Sequence, residues 1–419
     1  MVVGYESDDR KQSNPILKNT RSLQSISIHA FCITDTLYSV IEKSKIDRRM
    51  SGMNFRITKG SISEAIGVFS ASSTPNVLIV QTNVNSRAVL QALEPLAEVC
   101  DPSTRVVIIG EMNDVALYRE LIANGVSDYL VEPLYVEDII SVVDKICAVP
   151  KEESFGRSIA FIGSRGGAGS STIAHNCAFS FASVLATKTV LVDLDLPFGS
   201  VNINFDQDPF QNIADVIYDG NKVDEELIDQ LLVSYTENLS LLTSPSTLER
   251  TYDFEDNVMS PIIEVLQRSF PITILDVPHL WNKWNRDILV SSDKVVITTS
   301  LDLVGLRNSK NLIDILRILR PNDKLPYLIL NQVGMPKRPE IAVDDFCSPL
   351  GIKPSFVVPF DSSVFGAAAN SGKMIHELDS KSSIAAIFAN FAHILADRVT
   401  IDKPKDSIYG KIKSIFRKK

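Results

Sequence analysis

The chain has 419 residues, a formal net charge of −9, 45% hydrophobic residues and a mean hydropathy of +0.09. These values describe a globular chain of two or three domains and exclude a disordered one. With a pI of about 5.2 it offers no bulk basic field, so nucleic acid is not an expected partner. No apolar run reaches the ~18 residues of a membrane span. The five cysteines and five histidines are scattered, without zinc, redox or disulfide spacing; the cysteines are expected to be mostly small buried residues.

Residues 1–22 are polar and read as a disordered tail without the apolar core of a signal peptide, so a cytoplasmic location is expected. Residues 23–149 alternate strand and helix. Ser25–Cys32 alternates as a strand, and Val77–Val80 and Val106–Ile109 are continuous apolar runs suited to central parallel strands. Helical patterns follow near Ser86–Glu98 and Val115–Asn124. A last strand, Tyr129–Val131, leads into a last helix, Val136–Cys147. The rhythm predicts a small doubly wound α/β domain.

That order resembles a response-regulator receiver domain. The places where a receiver carries its acidic pair, phosphoacceptor aspartate, Ser/Thr and Lys-Pro hold Ala30-Phe31, Gln81, Gly110 and Glu132-Pro133 here. The resemblance implies an interaction module without phosphotransfer; an unrelated flavodoxin-like domain is the alternative.

Residues 150–157 read as a linker, and a larger α/β domain, residues 158–400, follows. Its strands are expected at Arg157–Ile162, Thr189–Val192, Leu239–Leu242, Ile272–Leu275, Lys294–Thr298, Tyr327–Leu330 and Ser355–Val358. Both domains are thus of the doubly wound, mostly parallel α/β class.

Between the first of these strands and the next helix the chain reads Ser164-Arg165-Gly166-Gly167-Ala168-Gly169-Ser170-Ser171-Thr172. A glycine-rich turn from strand to helix aims backbone amides at phosphate oxygens, and Ser171 stands where a hydroxyl would ligate Mg²⁺. A ligand-free glycine turn is the plainer alternative. Two acidic strand ends behind the loop favour the phosphate reading. Asp193 and Asp195 close one strand on a shared face, and Asp276 closes another in Walker B fashion. Asn331 ends a later strand with an amide suited to an adenine edge.

This constellation resembles the MinD/ParA family of P-loop ATPases. Arg165 takes the place of that family's signature lysine, and Ser170 the place of the general P-loop lysine. Arginine keeps a charge that can fork onto phosphate, but serine does not. Losing one charge-assisted contact costs about 1.5–3 kcal/mol, roughly 10–150-fold in affinity. ATP binding is expected to survive, and hydrolysis to be weak or lost, because that lysine also steadies transition-state charge.

Asp193–Gly199, Asp206–Pro209, Asp276–Trp281, Leu301–Asn308, Asn331–Gly334 and Phe360-Asp361 are similar to motifs of the CpaE/TadZ branch, in which a receiver-like domain precedes a MinD-like one. The resemblance implies a Flp/Tad-type pilus assembly and localisation protein, binding ATP and Mg²⁺ and forming a nucleotide-linked homodimer. It further implies partners in the pilus secretion machinery and a place on the inner face of the cytoplasmic membrane, often at a cell pole. Carried over by position, Ser164 to Thr172 would wrap the triphosphate, with Ser171 on Mg²⁺ and Asp276 holding it through water. Asp195, and after it Asp193, would position water, and Asn331 and the backbone near Pro359 would contact adenine.

Two features keep alternatives open. His279 is either a general base or a loop residue packed by Trp281 and Trp284. Residues 402–419 hold seven basic residues against two acidic, with Ile408, Ile412, Ile415 and Phe416 at helical spacing. This basic amphipathic tail is a membrane-surface anchor, a helix packed on the domain or a solvated tail. A nucleotide-independent scaffold and a DNA-partitioning ATPase are the competing functional readings.

Overall fold

A computed structural model describes residues 26–397 apart from 51–52, 84–85, 148–154, 220–222, 253 and 255–257. The N-terminal tail, most of the expected linker and the basic tail lie outside the described residues. The chain divides into two compact units, one running to Lys151 and one starting at Glu152.

In the first unit, five strand–helix pairs follow one another. They are β1 (Ser27–Cys32) and α1 (Asp35–Ile46), β2 (Asn54–Lys59) and α2 (Ile62–Phe69), and β3 (Val77–Gln81) and α3 (Ser86–Val99). β4 (Arg105–Gly110) with α4 (Val115–Ala123) and β5 (Asp128–Val131) with α5 (Val136–Cys147) complete the set. The sheet is wholly parallel, in the order β2-β1-β3-β4-β5, which receiver and flavodoxin-like domains share. β3 is buried along its whole length, as a continuous apolar run demands. The edge strand β2 escapes such a reading: in Asn-Phe-Arg-Ile-Thr-Lys only Phe55 is buried. Local chemistry starts the helices. Thr34 caps α1, Asp114 caps α4, and Ser61 with Glu64 forms a capping box on α2.

The receiver comparison needs one correction. β1 continues to Cys32, so Ala30 and Phe31 lie inside the strand and are fully buried; Ile33 and Thr34 are the residues that follow it. Gln81, at the end of β3, closes this region as a hydrogen-bonded lock. Its Oε1 accepts from the backbone amides of Ile33 (2.7 Å) and Thr34 (2.9 Å). Its Nε2 donates to Glu132 (3.0 Å) and to Thr34 Oγ1 (3.0 Å).

The second unit has an eight-stranded sheet built from β6 (Arg157–Gly163), β7 (Thr189–Asp193), β8 (Val233–Thr236), β9 (Leu239–Leu242), β10 (Ile272–Val277), β11 (Lys294–Thr299), β12 (Tyr327–Val333) and β13 (Phe356–Pro359). The order is β13-β12-β11-β6-β10-β7-β9-β8, parallel except for β8 against β9. β8 was not anticipated: it is short, half-exposed and antiparallel at an edge, so it lacks the apolar run that marks its neighbours.

Alternation along the strands divides the core between two faces. Ala160 and Ile162 pack on one face with Leu275 and Leu316, while Ile159 and Phe161 pack on the other. α6 (Ser170–Ser183) is buried at every position from Ile173 to Ala182, because it packs on the sheet and the helix Ser383–Leu395, on the same sheet face, packs against it. Phe161 and Phe391 meet edge to face there, centroids 6.4 Å apart; truncating either would cost about 3–5 kcal/mol. The layering holds the amino end of α6 against the carboxyl ends of β6, β10 and β7.

Cys32 and Cys177 are buried, Cys100, Cys147 and Cys347 only partly so, and all five are free thiols. Among the described residues no helix is long and apolar enough to cross a membrane, and no cluster of His, Cys, Asp and Glu is arranged to hold a metal.

Candidate functional site

β6 delivers the chain at Gly163, and α6 takes it up at Ser170. In the loop between them, Gly167 and Gly169 have φ of +78° and +85°, a region where an L side chain is strained. Gly167 faces open space, whereas a Cβ on Gly169 would run into the Asn331 side-chain amide. Gly169 is also the N-cap of α6 and supplies no side-chain cap. Among the described residues the backbone amides of Gly166, Gly167, Gly169, Ser170, Ser171 and Thr172 have no acceptor, while the Ala168 amide turns back onto the Arg165 carbonyl (3.3 Å). Open amides at a helix N-terminus form a cradle for an anion.

Side chains from distant strands hold this loop in shape. Ser164 is buried, with its amide on the Thr298 carbonyl (2.8 Å), its Oγ on Thr299 Oγ1 (2.8 Å) and its carbonyl accepting from Asn308 Nδ2 (2.8 Å). His279 Nδ1 donates to the Gly163 carbonyl (2.8 Å). Asn331 Nδ2 donates to the Ala168 carbonyl (2.9 Å) and Gln332 Nε2 to the Gly167 carbonyl (3.2 Å). Arg165 pairs with Asp302 at 3.3 Å. Its Nε is buried and unpartnered among the described residues, as is Ser170 Oγ where the P-loop lysine would stand.

The carboxylates sit beside the loop because β10 runs between β6 and β7, which sets Asp276 opposite Phe161 on one side and Asp193 on the other. Asp193 is fully buried and accepts from the amides of Asp195 (3.1 Å) and Val201 (3.1 Å), closing the turn between them. Gly199 passes so close to it that a Cβ would collide with its carboxylate. Burial, reinforced by the negative charge of Asp276, pushes Asp193 up to about 7. Asp195 is half-buried, accepts from the Phe198 amide (3.2 Å), and is raised by burial and then by Asp276. It is the more open of the two carboxylates.

His175 completes this cluster. Its Nε2 is 3.1 Å from Asp276 Oδ2, and its Nδ1 is 3.1 Å from the Asn204 amide nitrogen. Asn204 also donates to Ser200 Oγ (3.1 Å). The neutral tautomer with hydrogen on Nε2 satisfies both contacts.

The residues singled out in the sequence for the nucleotide site therefore gather at the carboxyl end of one sheet, where doubly wound folds place ligands. Their contacts refine the expected roles. The Asn331 donor is engaged by the loop itself, although Asn331 still lines a cavity of about 330 Å³ together with Gly169, Thr172 and Pro359. His279 anchors the end of β6; Trp284 is buried, but Trp281 is 51% exposed and stands in solvent. His175 and Asn204 were missed, and Asp302 and Asn308 were named only within the Leu301–Asn308 motif, without a role at the loop. A signal for His175 was present, since it lies four residues after Ser171 and shares its helix face. The partners of the others come from remote strands and helices.

Residues 156–326 match the AAA domain family. The septum site-determining protein MinD of Thermotoga maritima is 25% identical over 242 residues, 57% of this chain and 87% of that one. The ParA family ATPase of Chlorobium tepidum TLS has the same fold, with a TM-score of 0.52 and 24% identity over 56% of this chain and 98% of that one. The pilus assembly protein CpaE of Caulobacter crescentus CB15 is 40% identical over 98% of its solved chain and 29% of this one, with a TM-score of 0.29. Identity at that level along nearly a whole relative decides the family. The chain belongs to the CpaE family. This CpaE-family chain carries the MinD/ParA form of the P-loop fold, with Ser170 in the lysine's place.

Proposed function

We propose that this chain is a Flp/Tad-type pilus assembly and localisation protein whose second unit is a nucleotide-binding, dimeric switch of MinD/ParA type, with ATP hydrolysis weak or absent. One observation carries the reading: a row of open backbone amides at the amino end of α6 stands next to the buried Asp276. Ser164 to Thr172, Asn331 and Pro359 would hold ATP, with Ser171 and, through water, Asp276 on Mg²⁺. Bound Mg·ATP supplies the triphosphate that tells one state of the switch from the other. The backbone cradle suffices for binding. Turnover is a different matter, because the side chain in the lysine's place is an uncharged serine whose hydroxyl faces no partner among the described residues. Dimerisation would double a weak amphipathic anchor at residues 402–419 and place the protein on the inner membrane surface, beside the pilus secretion components it assembles.

A nucleotide-independent scaffold is the second reading, favoured by the number of loop groups already engaged within the protein: Ala168 with Asn331, Gly167 with Gln332, Arg165 with Asp302. Equilibrium binding of Mg·ATP to the purified chain, beside a Gly169→Asp variant, separates the two. The switch reading expects saturable binding that the variant loses. Absence of saturable binding at millimolar ATP would leave the scaffold.

A further inference from the structure

We propose that Lys373 supplies the cation that the glycine-rich loop lacks, reaching from the cavity it lines together with Gly169 and Thr172 to the phosphates of a bound nucleotide. The inference rests on the nucleotide-binding reading above and adds to it a residue outside the loop.

The cavity next to α6 is lined by Gly169 and Thr172 from the loop and the start of α6, by Asn176, and by Asp361 and Lys373. Gly169 and Thr172, whose backbone amides are open, therefore border the same cavity as Lys373. Asp361 is engaged as the N-cap of the helix Ser362–Ser371, accepting from the amides of Ser363 and Val364 (3.0 Å each). Lys373 is exposed, and its ammonium has no ion-pair partner among the described residues. Among the described residues it is the only lysine or arginine lining the cavity. The loop's own arginine is held by Asp302.

The backbone of Lys373 is fixed relative to the loop although its side chain is not. Gly372, with φ of +62°, ends the preceding helix and lies against Asp206. The Lys373 amide donates to the Ala368 carbonyl in the last turn of that helix (3.2 Å). Met374 and Ile375 are buried, and the Ile375 amide donates to Asn176 Oδ1 (2.9 Å), on the second turn of α6. A flexible, strongly hydrated ammonium on a rigid base is a point-charge contact for phosphate. It can replace a P-loop lysine in binding without replacing its position in line with the transferred phosphoryl group, which fits a site that holds nucleotide and turns it over slowly.

The test is calorimetric titration of the full chain with ATP and with adenosine. Lys373→Ala is expected to weaken ATP binding about tenfold or more, to leave adenosine binding and the melting temperature unchanged, and to be rescued by Lys373→Arg. Adding Ser170→Lys to Lys373→Ala should also restore ATP affinity, because the charge then comes from the loop. Equal ATP affinity in wild type and Lys373→Ala overturns this proposal alone, as does an equal loss for ATP and adenosine, which would mark a packing role. Absence of saturable ATP binding by the wild type overturns the nucleotide reading and this one with it.

Discussion

His175 Nε2 and Asp276 Oδ2 lie 3.1 Å apart, 101 positions apart in the chain, with side-chain exposures of 1% and 4%. A carboxylate that ends a central strand is thereby held by the helix that begins at the glycine-rich loop. Removing the imidazole leaves that carboxylate buried without its donor, so His175→Ala should destabilise the second unit by about 1–3 kcal/mol. Asp276→Asn should cost less, because an amide oxygen still accepts from Nε2, and the double variant should fall short of the sum. Both tryptophans, Trp281 and Trp284, belong to this unit, so tryptophan fluorescence in a urea titration reports on it selectively.

Asp193 gives a pH dependence with a definite sign. Its folded value, about 7, lies above its ordinary 3.8 because burial and Asp276 disfavour the ionised form. Protonation therefore favours the folded state. The contribution is full below about pH 4, declines as pH rises, and is gone above about pH 7. Without Mg²⁺ or nucleotide, the wild type should lose stability relative to Asp193→Asn from pH 5 to pH 8 in denaturant titrations, because the variant's side chain stays neutral throughout. A wild type that gains on the variant as pH rises would contradict the assignment.

The two left-handed glycines of the loop should respond differently to alanine. At Gly167 a Cβ meets nothing, so Gly167→Ala pays only for the backbone conformation, about 1–2 kcal/mol. At Gly169 the same strain is joined by collision with Asn331, which also holds the Ala168 carbonyl. Gly169→Ala should therefore lower the melting temperature further and, under the nucleotide reading, weaken ATP binding more than Gly167→Ala does.

In the first unit, Gln81 bridges the end of β1 to Glu132. Gln81→Asp would set a carboxylate against Glu132 and remove two donors, at a cost of about 1–3 kcal/mol; adding Glu132→Lys should recover most of it by turning repulsion into an ion pair. The wild type should gain no mass from acetyl phosphate, since its amide lock holds no phosphoacceptor. A phosphorylated species in mass spectrometry would refute that.

Legibility in the sequence followed burial. β3, β4, β6, β7 and β10 are central strands covered on both faces, and their unbroken apolar runs mark them. β2 and β8 are edge strands with only partial cover, so their composition carries little signal. The same holds for the site. Gly167, Gly169, Ser171, Asp193 and Asp276 are recognisable because a strand end or a tight turn restricts residue type locally. Asp302 and Asn308 look like ordinary helix-start and helix-surface residues until they are seen against Arg165 and Ser164.

The sequence by itself determined the two doubly wound units, the place of the glycine-rich loop, the absence of its lysine at Ser170 and the acidic ends of the strands behind it, for each of these depends on hydrophobic period, turn chemistry or residue identity over a few positions. Only the tertiary structure decided that β10 would lie between β6 and β7 and bring Asp276 against both Asp193 and His175. It alone decided that Asn331 would hold Ala168, and that Lys373 would line the same cavity as Gly169. Strand order in a parallel sheet is set by crossover connections and by which helices can cover which face, and no local pattern encodes which residues those crossovers make neighbours.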